Sequence, residues 1–239
     1  MSDTPDPLPV LESLHGATRR LVRSVDSLDD EGWRAPSLLP GWNRAHLVAH
    51  LALNAEALAG VLDGVHGGRA VPMYESQQAR DHDIEELSTA EPGRLRERLL
   101  ASTGHFADAV AAMDEQDWGQ RFDRVPGGPT LAAAAVPAMR WREVEIHHAD
   151  LLVGYAYRDW PVTFVAAALD SMTARLRDLS PGFHLVPSDL DGSREVGSVG
   201  PDAPVVSGTA ADAVWWLSGR GDGTGMSSER GDLPQIGAW

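Results

Sequence analysis

The chain has 239 residues, 43% of them hydrophobic and 23% charged, which is enough apolar material for a real core and argues against disorder. Its formal charge is −15, from 35 acidic and 20 basic residues, a balance that speaks against nonspecific binding to nucleic acid or to anionic membranes. Every basic residue is arginine and there is no cysteine, so a lysine Schiff base, a cysteine nucleophile, a disulfide and a thiolate metal ligand are all excluded. With abundant Ala and Gly, this composition fits a GC-rich bacterial genome.

The opening stretch, Met1 to Val10, is acidic and Pro-rich. It lacks the basic start and apolar run of a signal peptide, and no signal peptide is expected. No unbroken run approaches 18 apolar residues, so no membrane-spanning helix is predicted. A cytoplasmic protein is the expectation.

Four segments carry helical apolar periodicity. The first, about 8–28, places Leu11, Leu14, Leu21, Val22, Val25 and Leu28 on one stripe. The second opens after Trp42 with Asn43 as N-cap and runs to about Val65. Residues 66–88 are rich in Gly and charge, too polar for core, and read as a crossover that partly covers a site. The third helix is predicted from about Thr89 to Met113, with Pro92 tolerated in its first turn. The fourth is predicted from about Thr130 to Val153, kinked or restarted at Pro137 and stopped at Gly154.

Four helices with two long connections read as a four-helix bundle, residues 1–160. Beyond Trp160 and Pro161 the texture changes. A helix is expected over about 162–179, then short strands at Phe183–Val186, Glu195–Val199 and Pro204–Ser207, separated by turn-like spacers. Thr209 caps a last helix that ends at Gly219, with Trp215 and Trp216 as core candidates. Residues 161–239 therefore read as a small α+β domain, and the fold class as α+β.

One constellation carries chemistry. His50 lies on the second predicted helix; Glu143 and His147 lie four apart on the fourth. Residues at i and i+4 share a helix face, so a facing His50 would complete a His2Glu set with one coordination position open. Spacing alone leaves rivals. His46 is also four residues from His50, and Glu145 and His148 form a competing i, i+3 pair. His147 and His148 point about 100° apart, so at most one of them binds. The plain alternative pairs Glu143 and Glu145 with Arg140 and Arg142 on a solvated face. His15, His66, His82, His105 and His184 stand singly and read as ordinary surface or core histidines.

The stretch Leu39–Ala55, then Pro72-Met73-Tyr74, then Arg142–Leu151, resembles the mycothiol-dependent maleylpyruvate isomerases, a group of DinB-like metalloenzymes. The likeness continues through Val205–Gly208 and Leu217–Gly221 and covers nearly the whole chain. It implies a DinB-like bundle and a sterol-carrier-like second domain that closes over the cleft. It implies zinc, or another divalent metal, on His50, Glu143 and His147, leaving His46 and His148 to support or pack.

The implied activity is conversion of maleylpyruvate to fumarylpyruvate, a step of aromatic-acid breakdown through gentisate, with mycothiol as the thiol the chain itself lacks. Thiolate addition makes the double bond single, rotation follows, and elimination restores the trans bond. Arg220, on the resemblance, and Arg80 would bind the dicarboxylate. Arg220 and Tyr74 are the candidates for holding the small molecules, and Trp42 anchors the entry to the second helix. A monomer is expected. Two alternatives stand beside this: a mycothiol S-transferase or an isomerase of another cis-enone, and a noncatalytic zinc-binding regulatory module.

Overall fold

The computed structural model describes residues 8–237. The expectation about a signal peptide rests mainly on residues 1–7, which lie outside the described residues. The chain divides into two compact units, Met1–Tyr155 and Ala156–Trp239.

The first unit is a four-helix bundle of α1 (Leu8–Asp26), α3 (Arg44–His66), α5 (Pro92–Ala112) and α6 (Val136–Asp150). Short helices α2 (Asp30–Arg34) and α4 (Gln77–Ser88), and a hairpin of β1 (Arg121–Asp123) and β2 (Thr130–Ala132), fill its connections. The main pairings are α3 with α5 and α1 with α6, and α3 also packs on α6 and α4. α1 buries Leu14, Ala17, Leu21 and Val25, a single stripe at helical spacing. α5 buries Leu95, Leu99, Ser102, Phe106 and Ala109 at alternating steps of four and three. α3 differs because neighbours surround it. It buries Leu47, Val48, Leu51, Leu58, Val61 and Leu62 at once, leaving only a narrow part-exposed stripe at Glu56 and Asp63. By length and composition α3 could cross a membrane, but 72% of that window is buried inside the fold, as in a core helix. Asn54, Glu56 and Asp63 interrupt it, which is why no unbroken apolar run appears in the sequence.

The helix ends follow local chemistry. Asn43 and His46 form a capping box at the start of α3, each side chain facing the other's backbone N–H. α6 starts at Val136 rather than near Thr130, because Thr130–Ala132 pairs as a strand with Arg121–Asp123. Pro137 then sits in the first turn, where its missing N–H leaves no helical bond unmade. α6 also stops at Asp150, short of Gly154. Leu152 turns left-handed there, with φ 56°. Arg44 completes the stop: its Nε donates to the Leu151 carbonyl at 2.7 Å and its Nη2 to the Leu152 carbonyl at 2.8 Å. The polar stretch 66–88 is not all loop; Ser76 caps α4, which buries Ile84 against the bundle.

The second unit carries α7 (Val162–Arg175), β3 (Phe183–Pro187), β4 (Arg194–Val196), β5 (Val205–Gly208), α8 (Ala210–Leu217) and β6 (Ser227–Ser228). Its sheet has the order β4-β3-β5-β6, with β3 and β5 parallel and the outer pairs antiparallel. α7 ends at Arg175, four residues before the expected 179. Phe164, Leu169, Phe183, Leu185, Val206 and Trp216 form its core. Trp215 is only half-buried and stacks on Tyr157, with ring centroids 4.8 Å apart. Gly197 is required where it stands: φ is 75°, and a Cβ there would run into the Leu179 carbonyl oxygen.

Candidate metal centre and active site

α3 and α6 bring the predicted triad together. His50 projects from the second turn of α3, and Glu143 and His147 project one turn apart from α6. Nε2 of His50 lies 2.8 Å from Oε2 of Glu143, and Nε2 of His147 lies 3.3 Å from the same oxygen. The two imidazoles meet edge-on, centroids 4.8 Å apart. The three ligating atoms lie within 4.8 Å of one another. A tetrahedral ion with bonds of about 2.0–2.2 Å keeps its ligand atoms roughly 3.4 Å apart, so the cluster needs only a small parting to accept one. Two imidazoles and a carboxylate are a borderline donor set suited to zinc and to neighbouring divalent ions.

Protonation favours ligation at His50 and Glu143, whereas His147 must give up a proton to ligate. Burial pushes the His50 pKa down to about 4, Glu143 opposing only in part, so its imidazole is neutral near pH 7. Burial acts to raise Glu143, but hydrogen bonds from His147 and His50 outweigh it and hold the carboxyl well below its ordinary range. For His147, burial acts to lower the pKa, while the bonds to Asp150 and Glu143 prevail and raise it.

The neighbours orient the triad. Asp150 is fully buried, and its Oδ2 lies 2.8 Å from Nδ1 of His147. That contact fixes the ring and directs Nε2 toward the cluster, the usual role of a carboxylate behind a metal-binding histidine. Trp42 lies with its ring centroid 5.9 Å from that of His50, a wall of the site as well as the entry to α3. Arg80, from α4, places Nη2 3.3 Å from Nδ1 of His50. Because an arginine only donates, that contact puts the His50 proton on Nε2, facing Glu143. The Arg80 guanidinium also lies 5.8 Å from the centre of the Tyr74 ring. Burial first, and then the charge of Glu143, raise the Tyr74 pKa. Arg80 and Tyr74 thus stand beside the triad.

Arg220 belongs to the second unit, just past α8, where it is buried and its Nη1 donates to the Ser218 carbonyl at 3.1 Å.

The rival readings resolve. His46 stacks on Trp42 and serves the capping box rather than the cluster. Glu145 turns toward α1, where Oε1 accepts from Arg20 at 2.7 Å and Oε2 accepts from Tyr155 at 2.5 Å. His148 likewise contacts Ser24 at 2.8 Å and stacks on Tyr155. The solvated-face pairing of Glu143 and Glu145 with Arg140 and Arg142 is overturned: Glu145 and Arg140 are both buried, and Arg140 bonds to α3. A second cluster, His66, Asp114 and Asp117, is largely exposed, and Asp117 Oδ2 is already engaged by His66 and the Asp114 N–H.

Two residues near the site were not singled out in the sequence. Asp150 had a local signal, three positions after His147 on the same helix. Arg124 had none. It comes from the β1–β2 turn, its guanidinium 5.8 Å from the Tyr74 ring centre, and its carbonyl accepts from the Tyr74 N–H at 3.0 Å.

The family profile described as the mycothiol maleylpyruvate isomerase N-terminal domain matches residues 14–152. The profile described as the MDMPI C-terminal domain matches residues 159–237. No curated protein matches. Among solved structures, a mycothiol-dependent maleylpyruvate isomerase is 30% identical with a TM-score of 0.87, covering 98% of both chains. A histidine-to-alanine mutant of a mycothiol-dependent maleylpyruvate isomerase gives the same figures. The chain belongs to the mycothiol maleylpyruvate isomerase family.

Proposed function

We propose that this protein is a metal- and mycothiol-dependent cis-trans isomerase that converts maleylpyruvate to fumarylpyruvate. The observation that carries the reading is the convergence of His50, Glu143 and His147, buried or nearly so, beside Arg80 and Tyr74 in a chain with no cysteine. The reaction that fits is reversible addition of an external thiol across the conjugated double bond, rotation about the resulting single bond, and elimination. A zinc or other divalent ion on these three side chains would keep a bound thiol deprotonated near neutral pH, below its free value of about 8.5.

The protein's own residues supply the rest. With His50 and His147 neutral and Glu143 ionised, as ligation requires, the set would carry one negative charge, which would leave a bound sulfur more nucleophilic than a neutral set would. Asp150 holds His147 in the ligating tautomer. When Nε2 of His50 is used for ligation, its Nδ1 must carry the proton. The Arg80 donor that faced Nδ1 is then released for a substrate carboxylate. Arg220 is the candidate for the second carboxylate, or for the enolate charge that develops on addition. Addition and elimination return the thiol, so no oxidant or second substrate is consumed.

The test follows maleylpyruvate and free thiol together, using zinc-loaded protein with and without mycothiol. Turnover that requires mycothiol and leaves its concentration unchanged is expected, and His50→Ala abolishes it. Thiol consumed in step with substrate would make the protein a transferase. No reaction in a metal-replete protein would favour a binding role.

A further inference from the structure

The β1–β2 hairpin is a two-stranded sheet of its own, and it delays the start of α6. Its turn is braced from within. The Arg124 N–H donates to the Pro129 carbonyl at 3.0 Å, and the Gly128 N–H to the Val125 carbonyl at 2.8 Å. The Thr130 hydroxyl donates to Oδ1 of Asp123 at 2.9 Å. The hairpin is also stitched to the segment that leads into α4. There the Met73 N–H donates to the Asp123 carbonyl at 2.9 Å and the Tyr74 N–H to the Arg124 carbonyl at 3.0 Å. These backbone bonds fix where the Arg124 side chain starts, and its guanidinium lies 5.8 Å from the centre of the Tyr74 ring.

The Arg80 guanidinium lies at the same distance from that ring. The two cations differ in what they already hold. Arg80 donates to Asp81 at 2.7 Å and contacts His50 of the triad. Arg124 is part-exposed, and its guanidinium has neither a hydrogen bond nor an ion pair among the described residues. None of its side-chain nitrogens is shut away from solvent. Asp123, its neighbour in the chain, is turned back into the hairpin by Thr130 and the Gly127 N–H. In a chain of net charge −15, a cation beside the site with no carboxylate of its own is open to an incoming anion.

We propose that Arg124 binds the substrate carboxylate farther from the reacting double bond, and so selects dicarboxylates over monocarboxylates. The inference rests on the isomerase reading above, whose substrate carries two carboxylates. Arg80, against His50, is placed for the carboxylate on the alkene. Arg124, which makes no hydrogen bond or ion pair with the triad, is placed for the carboxylate of the pyruvyl end. A guanidinium grips a carboxylate through two parallel N–H donors, and those of Arg124 are unengaged. The thiol offers no rival anion here, because the sugar and amide groups of mycothiol are uncharged. Arg220 is then left for the enolate charge.

The test uses zinc-loaded full-length protein and two saturated analogues that cannot isomerise. Succinylpyruvate carries both carboxylates; succinylacetone has a methyl group in place of the pyruvyl carboxylate. Calorimetric titration of the wild type should show the dianion bound at least about tenfold more tightly, as hydrogen bonds to a charged group predict. Arg124→Met keeps the apolar stem against Tyr74 and should erase that preference. Arg124→Lys keeps the charge without the fork and should retain part of it. Arg121→Met removes an exposed cation from the same hairpin and should leave the preference intact. In turnover of maleylpyruvate with mycothiol, Arg124→Met should raise KM by about tenfold or more, with a much smaller change in kcat. The inference is overturned by wild-type protein that binds both analogues alike or neither. It is equally overturned by a preference that survives Arg124→Met or disappears in Arg121→Met. A wild type that prefers the dianion through Arg124 yet shows no thiol-dependent turnover would uphold the carboxylate site and overturn the isomerase reading instead.

Discussion

Asp150 shows how much a single side chain can decide. It is not itself a proposed ligand, yet its 2.8 Å contact with Nδ1 sets which nitrogen of His147 faces the cluster. Asp150→Asn keeps the shape and removes the charge. Metal affinity should fall by about ten- to hundredfold, the usual cost of losing such a support, measured by competition with a chromophoric chelator. His46 makes the complementary point. It has the residue type and spacing of a ligand, but it stacks on Trp42 and closes the cap of α3. Which of two histidines four apart serves the site depends on where the helix begins, and Asn43 sets that start.

At the scale of elements, the site requires α3 and α6 to stay in register, and Arg44 is the clasp. It sits in the first turn of α3 and donates to the carbonyls just past the end of α6, at Leu151 and Leu152, and to Gly32 of α2. Arg44→Met keeps the apolar stem and leaves those carbonyls unmet. It should cost about 2 kcal/mol of stability, the range for hydrogen bonds to a charged group, read from denaturant midpoints.

The far end of α3 is tied by His66 to Asp117, at 2.9 Å. The hydrogen bond to Asp117 raises the His66 pKa above its ordinary 6.5. A raised histidine contributes its stabilisation fully below 6.5 and loses it as pH climbs through the folded value. Asp117, lowered chiefly by the same hydrogen bond, loses its share as pH falls from 3.8 through its folded value. Asp117→Asn should return His66 toward 6.5 in an NMR titration and flatten the pH dependence of the melting temperature as pH rises from 6.5.

At the scale of the molecule, a cation held by side chains from two helices binds the folded chain far better than the unfolded one. It should stabilise the fold by about 4 kcal/mol when present at a thousandfold over its Kd. Chelation should therefore lower the melting temperature and zinc restore it, while His50→Ala should melt at one temperature with or without zinc. Calorimetry with and without chelator checks this.

Much of this architecture was legible in the residues. The α1 stripe, the Asn43 and Thr209 caps, Pro92 in a first turn and the i, i+4 spacing of Glu143 and His147 are local properties. Periodicity, capping and spacing act over a few residues, so the sequence alone determined the bundle helices, the α+β texture of the second unit and a short set of rival ligands, which the family resemblance narrowed to His50, Glu143 and His147. It did not show the hairpin that delays α6 to Val136, nor α4 within a polar stretch, because both depend on partners distant in the chain. Only the tertiary structure decided that Glu145 turns to Arg20 and Tyr155 while Glu143 faces His50, and that Arg124 stands beside Tyr74. Those outcomes are set by which helix or turn packs against which face, and no local pattern records that.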